Sequence, residues 1–199
     1  MDAILQATVQ VLLSVGKERL TTTRVAERAG VSVGTLYQCF PNKSALLQAV
    51  LQRHLDEVRD ELERECLAQR GNTVAEMSTA VITAFLAAKM REVKTSAALF
   101  SVSSDVDGAR IAQQERQRAT KAVAAMFETS CEPLTRDTDL VATMLLSALS
   151  GVSHRLLESD TPEKLLDAYR RELIEMSRAY LATSSDVVTA PAARNPRVG

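Results

Sequence analysis

The sequence predicts an all-α protein, and three observations point that way. Glycine and proline are scarce, at seven and five in 199 residues, and two of the prolines fall within the last nine. Ala, Leu, Glu, Arg and Gln, all good helix formers, are abundant. Apolar residues recur at helical spacing almost without a break. With 46% hydrophobic residues the chain can bury a sizeable core, and its length suits one large domain or two small ones.

Because the periodicity runs on, glycine, proline and capping residues must mark the helix ends. Gly16 ends a first helix whose Ile4, Val11, Leu12 and Val15 form an apolar stripe. A second starts at Thr21 to Thr23, where a hydroxyl can accept from an orphan backbone N–H, and stops at Ala29-Gly30. Ser32 caps a third, Val33 to Phe40, which is barely two turns long and marginal in water on its own. Pro41 halts it, and Asn42 opens a long charged helix from about Lys43 to Cys66, ended by Gly71-Asn72. Five more segments are expected at 73–91, 93–103, 107–130, 137–157 and 161–183. The tail SSDVVTAPAARNPRVG lacks periodicity, so 184–199 is expected to be disordered. The spacing divides the chain into a head over 1–50, with its paired helices at about 21–40, and a larger helical body over 51–183.

Several function classes recede at this level. The N-terminus mixes polar residues at helical spacing, and no apolar run is long, so neither export nor membrane partnership is expected. Cys39, Cys66 and Cys131 are widely spaced and odd in number, which suits free thiols in a reducing, cytoplasmic setting. His54 and His154 fall on different helices without a ligand pattern, so neither a metal site nor a cofactor is expected. No nucleophile elbow, phosphate loop or zinc-protease motif occurs, so an enzyme is not expected. The acidic run DEVRDELERE alternates with arginine and reads as a solvated helix face. Net charge is −1, yet the first fifty residues carry two net positive charges on an otherwise acidic chain.

The short third helix is the informative one. At 100° per residue Val33, Leu36, Tyr37 and Phe40 gather on one side, whereas Gly34, Thr35, Gln38 and, at the edge, Cys39 face away. The apolar side can pack on Val25, Ala26 and Ala29, with Gly30 in the left-handed conformation that a sharp turn needs. This is a helix-turn-helix plan. On its outer face Gly34 permits close backbone approach, Val33 and Thr35 offer methyls to a thymine, and Gln38 can pair with an adenine. Ser32, Tyr37 and Lys43 are placed for phosphate oxygens.

Taken whole, TTTRVAERAGVSVGTLYQCFPNKSALLQAVL closely resembles the signature of TetR-family transcriptional regulators, over about residues 4–55. The resemblance implies an all-α homodimer with a three-helix head that binds a double-stranded DNA operator. The C-terminal domain would dimerise and bind a small-molecule effector. DNA contacts are implied at Thr21 or Thr22, Ser32, Val33, Gly34, Thr35, Tyr37, Gln38 and Lys43. Two departures stand out: Cys39 replaces the usual His or aromatic, and Met1-Asp2 stands nearly inside the first helix where many relatives carry a basic residue or arm. Either minor-groove contacts are missing or the chain is truncated.

In the body, Leu166, Tyr169, Leu173, Met176 and Tyr180 follow one another at spacings of 3, 4, 3 and 4 and form a seam. Leu145 and Ala148 on the preceding helix, followed by Gly151 and Ser153, would complete a four-helix dimer interface; the other reading is that these stripes face the chain's own core. Met77, Phe85, Met90, Phe100, Met126, Phe127 and Met144 are candidates for the wall of an effector cavity, or else for plain core. Ser96, Ser101, Ser103 and Ser104 could orient an apolar or aromatic ligand or could equally face solvent. The expected function is that of a ligand-responsive repressor binding a palindromic operator as a dimer. An activator or ligand-independent regulator with the same DNA site, or a helical dimeric binding protein without DNA recognition, are the alternatives.

Overall fold

In the computed structural model, which describes residues 1–132 and 134–182, the chain forms α1 (Asp2–Arg19), α2 (Thr22–Ala29), α3 (Val33–Cys39), α4 (Lys43–Ala68), α5 (Val74–Met90), α6 (Val93–Val102), α7 (Gly108–Phe127), α8 (Thr138–Leu157) and α9 (Pro162–Ala182). A single 3₁₀ turn, Ser103–Asp105, joins α6 to α7, and no strand occurs among the described residues. The tail expected to be disordered lies outside them.

Local chemistry sets most of the boundaries. Thr21 accepts from the Arg24 N–H, Ser32 from Thr35 and Asn42 from Ala45, each satisfying a donor that the first helical turn leaves free. Thr73 and Glu76 form a reciprocal capping box at the start of α5. Gly16 kinks α1 at φ 77° and ψ 168°, but the helix resumes to Arg19 instead of ending there. The α6–α7 corner is tighter than the sequence suggested: a Cβ on Gly108 would overlap the Ser103 carbonyl, and Asp107 adopts φ 33°.

Two apolar cores result. The head core joins Ile4, Leu12, Val25, Leu36, Phe40 and Leu46 to Leu99, Val102, Val106 and Ile111 from the α6–α7 region. The body core gathers Leu62, Val81, Phe127, Leu149, Leu156 and Leu173 from α4, α5, α7, α8 and α9. The 26-residue α4 contributes to both, so head and body share a structural rod. By length and composition α8 could cross a membrane, with a mean hydropathy of 1.4, but Val141, Ala142, Leu145, Leu146 and Leu149 pack into the body core. It is an inner helix of the bundle.

Candidate DNA-binding face and effector cavity

The head builds its outer surface from two short helices held by a glycine turn. Gly30 sits at φ 68°, and the Val31 N–H donates to the Ala26 carbonyl at 3.0 Å, turning the chain directly from α2 into α3. Leu36 is fully buried and Phe40 nearly so, which pins α3 to the head. Val33 and Tyr37, which the helical wheel placed with them on the anchoring side, are exposed, Tyr37 by 48%. A helix of seven residues meets its neighbours along one line, narrower than the stripe the wheel drew. Val33, Gly34, Thr35, Tyr37 and Gln38 therefore share the solvent side.

Hydrogen bonds fix this face before any ligand arrives. The Ser32 hydroxyl caps α3 and lies 2.8 Å from the Thr35 hydroxyl. The Tyr37 phenol lies 3.2 Å from Thr22 Oγ1, tying α3 to the first turn of α2. Thr21 accepts from the Arg24 N–H at 3.3 Å. Lys43 is half-buried and donates from Nζ to the Lys17 carbonyl at 2.8 Å, a bond the sequence did not show; an ammonium keeps two further donors. Cys39 is exposed at the end of α3.

A cavity of about 370 Å³, open on one side, lies in the body between α4, α5, α6, α7 and α8. Of the proposed wall only Phe85 and Phe100 line it. Met77, Met126 and Phe127 are buried in the body core instead, and Met90 packs at its margin. Met144 is 51% exposed on the outer side of α8, which removes it from any cavity wall. Their apolar character was read correctly, but periodicity does not say which neighbour a buried face meets. Ser96, Ser103 and Ser104 do line the cavity, whereas Ser101 does not. A wider furrow of about 610 Å³ lies between α1 and α4–α6, but its rim of Arg53, Glu57, Arg91 and Glu92 suits a solvated joint better than an apolar guest.

The two histidines, set aside in the sequence, both face the 370 Å³ cavity. Ser96 Oγ donates to the Lys89 carbonyl at 2.9 Å and stands 3.2 Å from His54 Nε2. Having spent its proton, that hydroxyl must accept from His54, which assigns the Nε2–H tautomer. Burial, and then the nearby Lys89 charge, lower the His54 pKa from 6.5 to about 4. His154 stacks on Phe100 with ring centroids 4.5 Å apart, and burial again lowers its pKa. On the same wall Arg59 pairs with Glu115 at 2.7 Å, and Glu115 also accepts from Gln52 and Arg118 at 3.1 Å.

The expected partner seam is divided by the fold. Leu145 and Leu173 are buried in the chain's own core, Leu173 to 3% exposure, so those two belong to the body's interior. Ala148, Leu166, Tyr169 and Tyr180 are half-buried against that core, and Met176 is exposed. Leu140, Met144, Ser147 and Gly151 lie bare along α8.

A helix-turn-helix head joined through a shared rod to an all-α body is the architecture of a DNA-binding transcriptional regulator. The chain belongs to the TetR family: the family of "bacterial regulatory proteins, tetR family" matches residues 4–50, and the "Tetracyclin repressor-like, C-terminal domain" matches residues 73–181. It is a family of regulators and not of enzymes. The chain is 42% identical over 65 residues to the HTH-type transcriptional repressor KstR of Mycolicibacterium smegmatis, covering 33% of this chain and 32% of that protein. It is 44% identical over 54 residues to the class C tetracycline repressor of Escherichia coli, covering 27% and 25%. These matches thus span about a third or less of the relatives' length. A TetR-family regulator from Mesorhizobium loti shares the fold over 93% of this chain and 96% of its own, with a TM-score of 0.77 at 19% identity.

Proposed function

We infer that this TetR-family regulator is a ligand-responsive repressor that binds a palindromic operator as a homodimer. The observation that carries the reading is α3: pinned by Leu36 and Phe40, it turns Val33, Gly34, Thr35, Tyr37 and Gln38 outward as one polar and methyl-bearing face. In a major groove Gln38 would read an adenine and Val33 and Thr35 thymine methyls, while Thr21, Thr22, Ser32, Tyr37 and Lys43 hold phosphates. Repression is supported by the names of KstR and of the tetracycline repressor, both matched through the head.

Dimerisation is supported by the bare side of α8. Leu140 and Met144 are exposed, and a Cβ on Gly151 would meet nothing within 4 Å, so the chain itself gives no packing reason for a glycine there. A partner helix crossing closely would supply one. Ala148, Tyr169, Met176 and Tyr180 would flank that contact. The effector is a small apolar or aromatic molecule held in the 370 Å³ cavity.

Fluorescence anisotropy with DNA from the region upstream of the protein's own coding sequence tests the DNA site. Binding should weaken steeply with salt, and Gln38→Ala should relax preference at one base position by roughly 1–3 kcal/mol. Lys43→Ala should weaken all sequences alike and lower the salt slope by about one per head, with thermal melting reporting the lost bond to Lys17. An unchanged preferred site in Gln38→Ala would mean that another surface reads the bases.

A further inference from the structure

One charge in the cavity has nothing to neutralise it. Lys89 lies in the last turn of α5 and lines the wall, and among the described residues its ammonium makes neither a hydrogen bond nor an ion pair. Burial lowers its pKa, and no carboxylate opposes that shift. Arg59 on the same wall is the contrast, engaged by Asp56, Asp60, Glu63 and Glu115. A cation at a helix C-terminus gains from the helix dipole, but that gain is smaller than the cost of desolvating an unpaired ammonium. Such a charge is retained at a loss unless something else pairs with it.

The surroundings specify what that partner is. Phe85, Leu55, Val58 and Leu146 make the wall largely apolar, and Arg116 adds a second cation that no described residue pairs with. His54 and His154 are neutral there, and the charged groups acting on them are Lys89, Glu57 and Glu92 for the first and Lys89, Glu158 and Arg116 for the second. A single buried ammonium suits one negative charge; polyphosphates are met by several guanidinium forks, and here Arg59 is already taken while Arg116 is exposed to solvent.

We propose that the effector is an amphipathic monocarboxylate whose head pairs with Lys89, between His54 and His154, while its apolar body lies against Phe85, Leu55, Val58 and Leu146. This rests on the reading that the cavity is the effector site. Burial is the larger reason that both imidazoles are neutral and the Lys89 charge the second; a bound carboxylate offsets that second contribution and adds an anion beside both rings, so ligand binding raises their protonation. Because these are the chain's only two histidines, each is observable as a separate proton resonance.

Isothermal titration of the full-length protein at pH 7.5 with two matched pairs, decanoate against decan-1-ol and 4-phenylbutyrate against 4-phenylbutan-1-ol, tests it. At least one acid should bind tenfold or more tightly than its alcohol, and which acid does so separates an alkyl from an aromatic body. Lys89→Met should bring acid and alcohol within about twofold while leaving alcohol binding intact, and Lys89→Arg should restore the preference. By NMR, the tighter acid should move both histidine titration midpoints upward and its alcohol neither. Equal binding of acid and alcohol, or a preference that survives Lys89→Met, would overturn the carboxylate and leave a site for neutral ligands. If none of the four probes binds, the monocarboxylate is overturned; an effector that binds Ala112→Trp, whose new side chain fills the cavity, as tightly as the unaltered protein would overturn the effector-cavity reading itself.

Discussion

At His54 the fold imposes a pH dependence that the residue type alone would not carry. Its pKa falls from 6.5 to about 4, chiefly through burial, so between those values the folded protein binds fewer protons than the unfolded chain. Stability is then complete above pH 6.5 and is lost as the pH drops toward 4, by about 3 kcal/mol at this group, and His154 shifts in the same direction. Urea unfolding at pH 7 and pH 4.5 should show that loss, and His54→Gln should flatten it; an unchanged slope in the variant would place the proton uptake elsewhere. Nothing in the neighbouring residues signals this, because a histidine beside DEVRD looks solvated until α6 closes over it.

Among the elements, α3 and α8 illustrate the two ways in which periodicity can be incomplete. The wheel for α3 named Leu36 and Phe40 correctly as anchors, yet also drew in Val33 and Tyr37, because an angle says nothing about how far the supporting surface reaches. On α8 and α9 the heptad-like spacing was real, but it recorded two faces at once. Leu145 and Leu173 fill the body's core, while Leu140, Met144 and Met176 stay bare. Met144→Glu is therefore the substitution to make. Sedimentation should show a shift toward monomer with little change in intrinsic stability, since the side chain is exposed in the protomer, and operator binding should fall with it. Leu173→Glu would bury a lone carboxylate in the core, so it should unfold the body before it separates protomers. If the Met144→Glu protein remains dimeric, the partner surface lies away from α8.

For the whole molecule, the wall of the cavity and the core of the head share residues. Leu51, His54 and Leu55 come from α4, whose Leu46, Leu47 and Val50 share the head core with Leu36 and Phe40 of the α3 region, and Leu99 belongs both to the cavity and to the head core. In the proposed dimer, a ligand that repacks this wall would tilt the heads, and two recognition helices would have to stay about one turn of DNA apart to bind together. Such coupling is reciprocal: an effector that weakens operator binding tenfold must itself bind the operator complex tenfold less tightly, about 1.4 kcal/mol. Ala112→Trp, which fills the cavity, should keep operator binding and abolish the response. Equal effector affinity with and without operator would detach the cavity from DNA binding for that compound.

What the sequence determined by itself was local. Helix positions, the caps at Thr21, Ser32 and Asn42, the glycine turn and the order of residues along α3 all arise from contacts within a few positions, where spacing and side-chain chemistry suffice. Tertiary structure alone decided that Leu99 and Ile111 complete the head core, that Met144 faces outward, and that His54 and His154, a hundred residues apart, meet around one cavity beside Lys89. The physical reason is that these juxtapositions depend on how the helices cross and close-pack, and no stretch of sequence short enough to be read for periodicity contains both sides of such a contact.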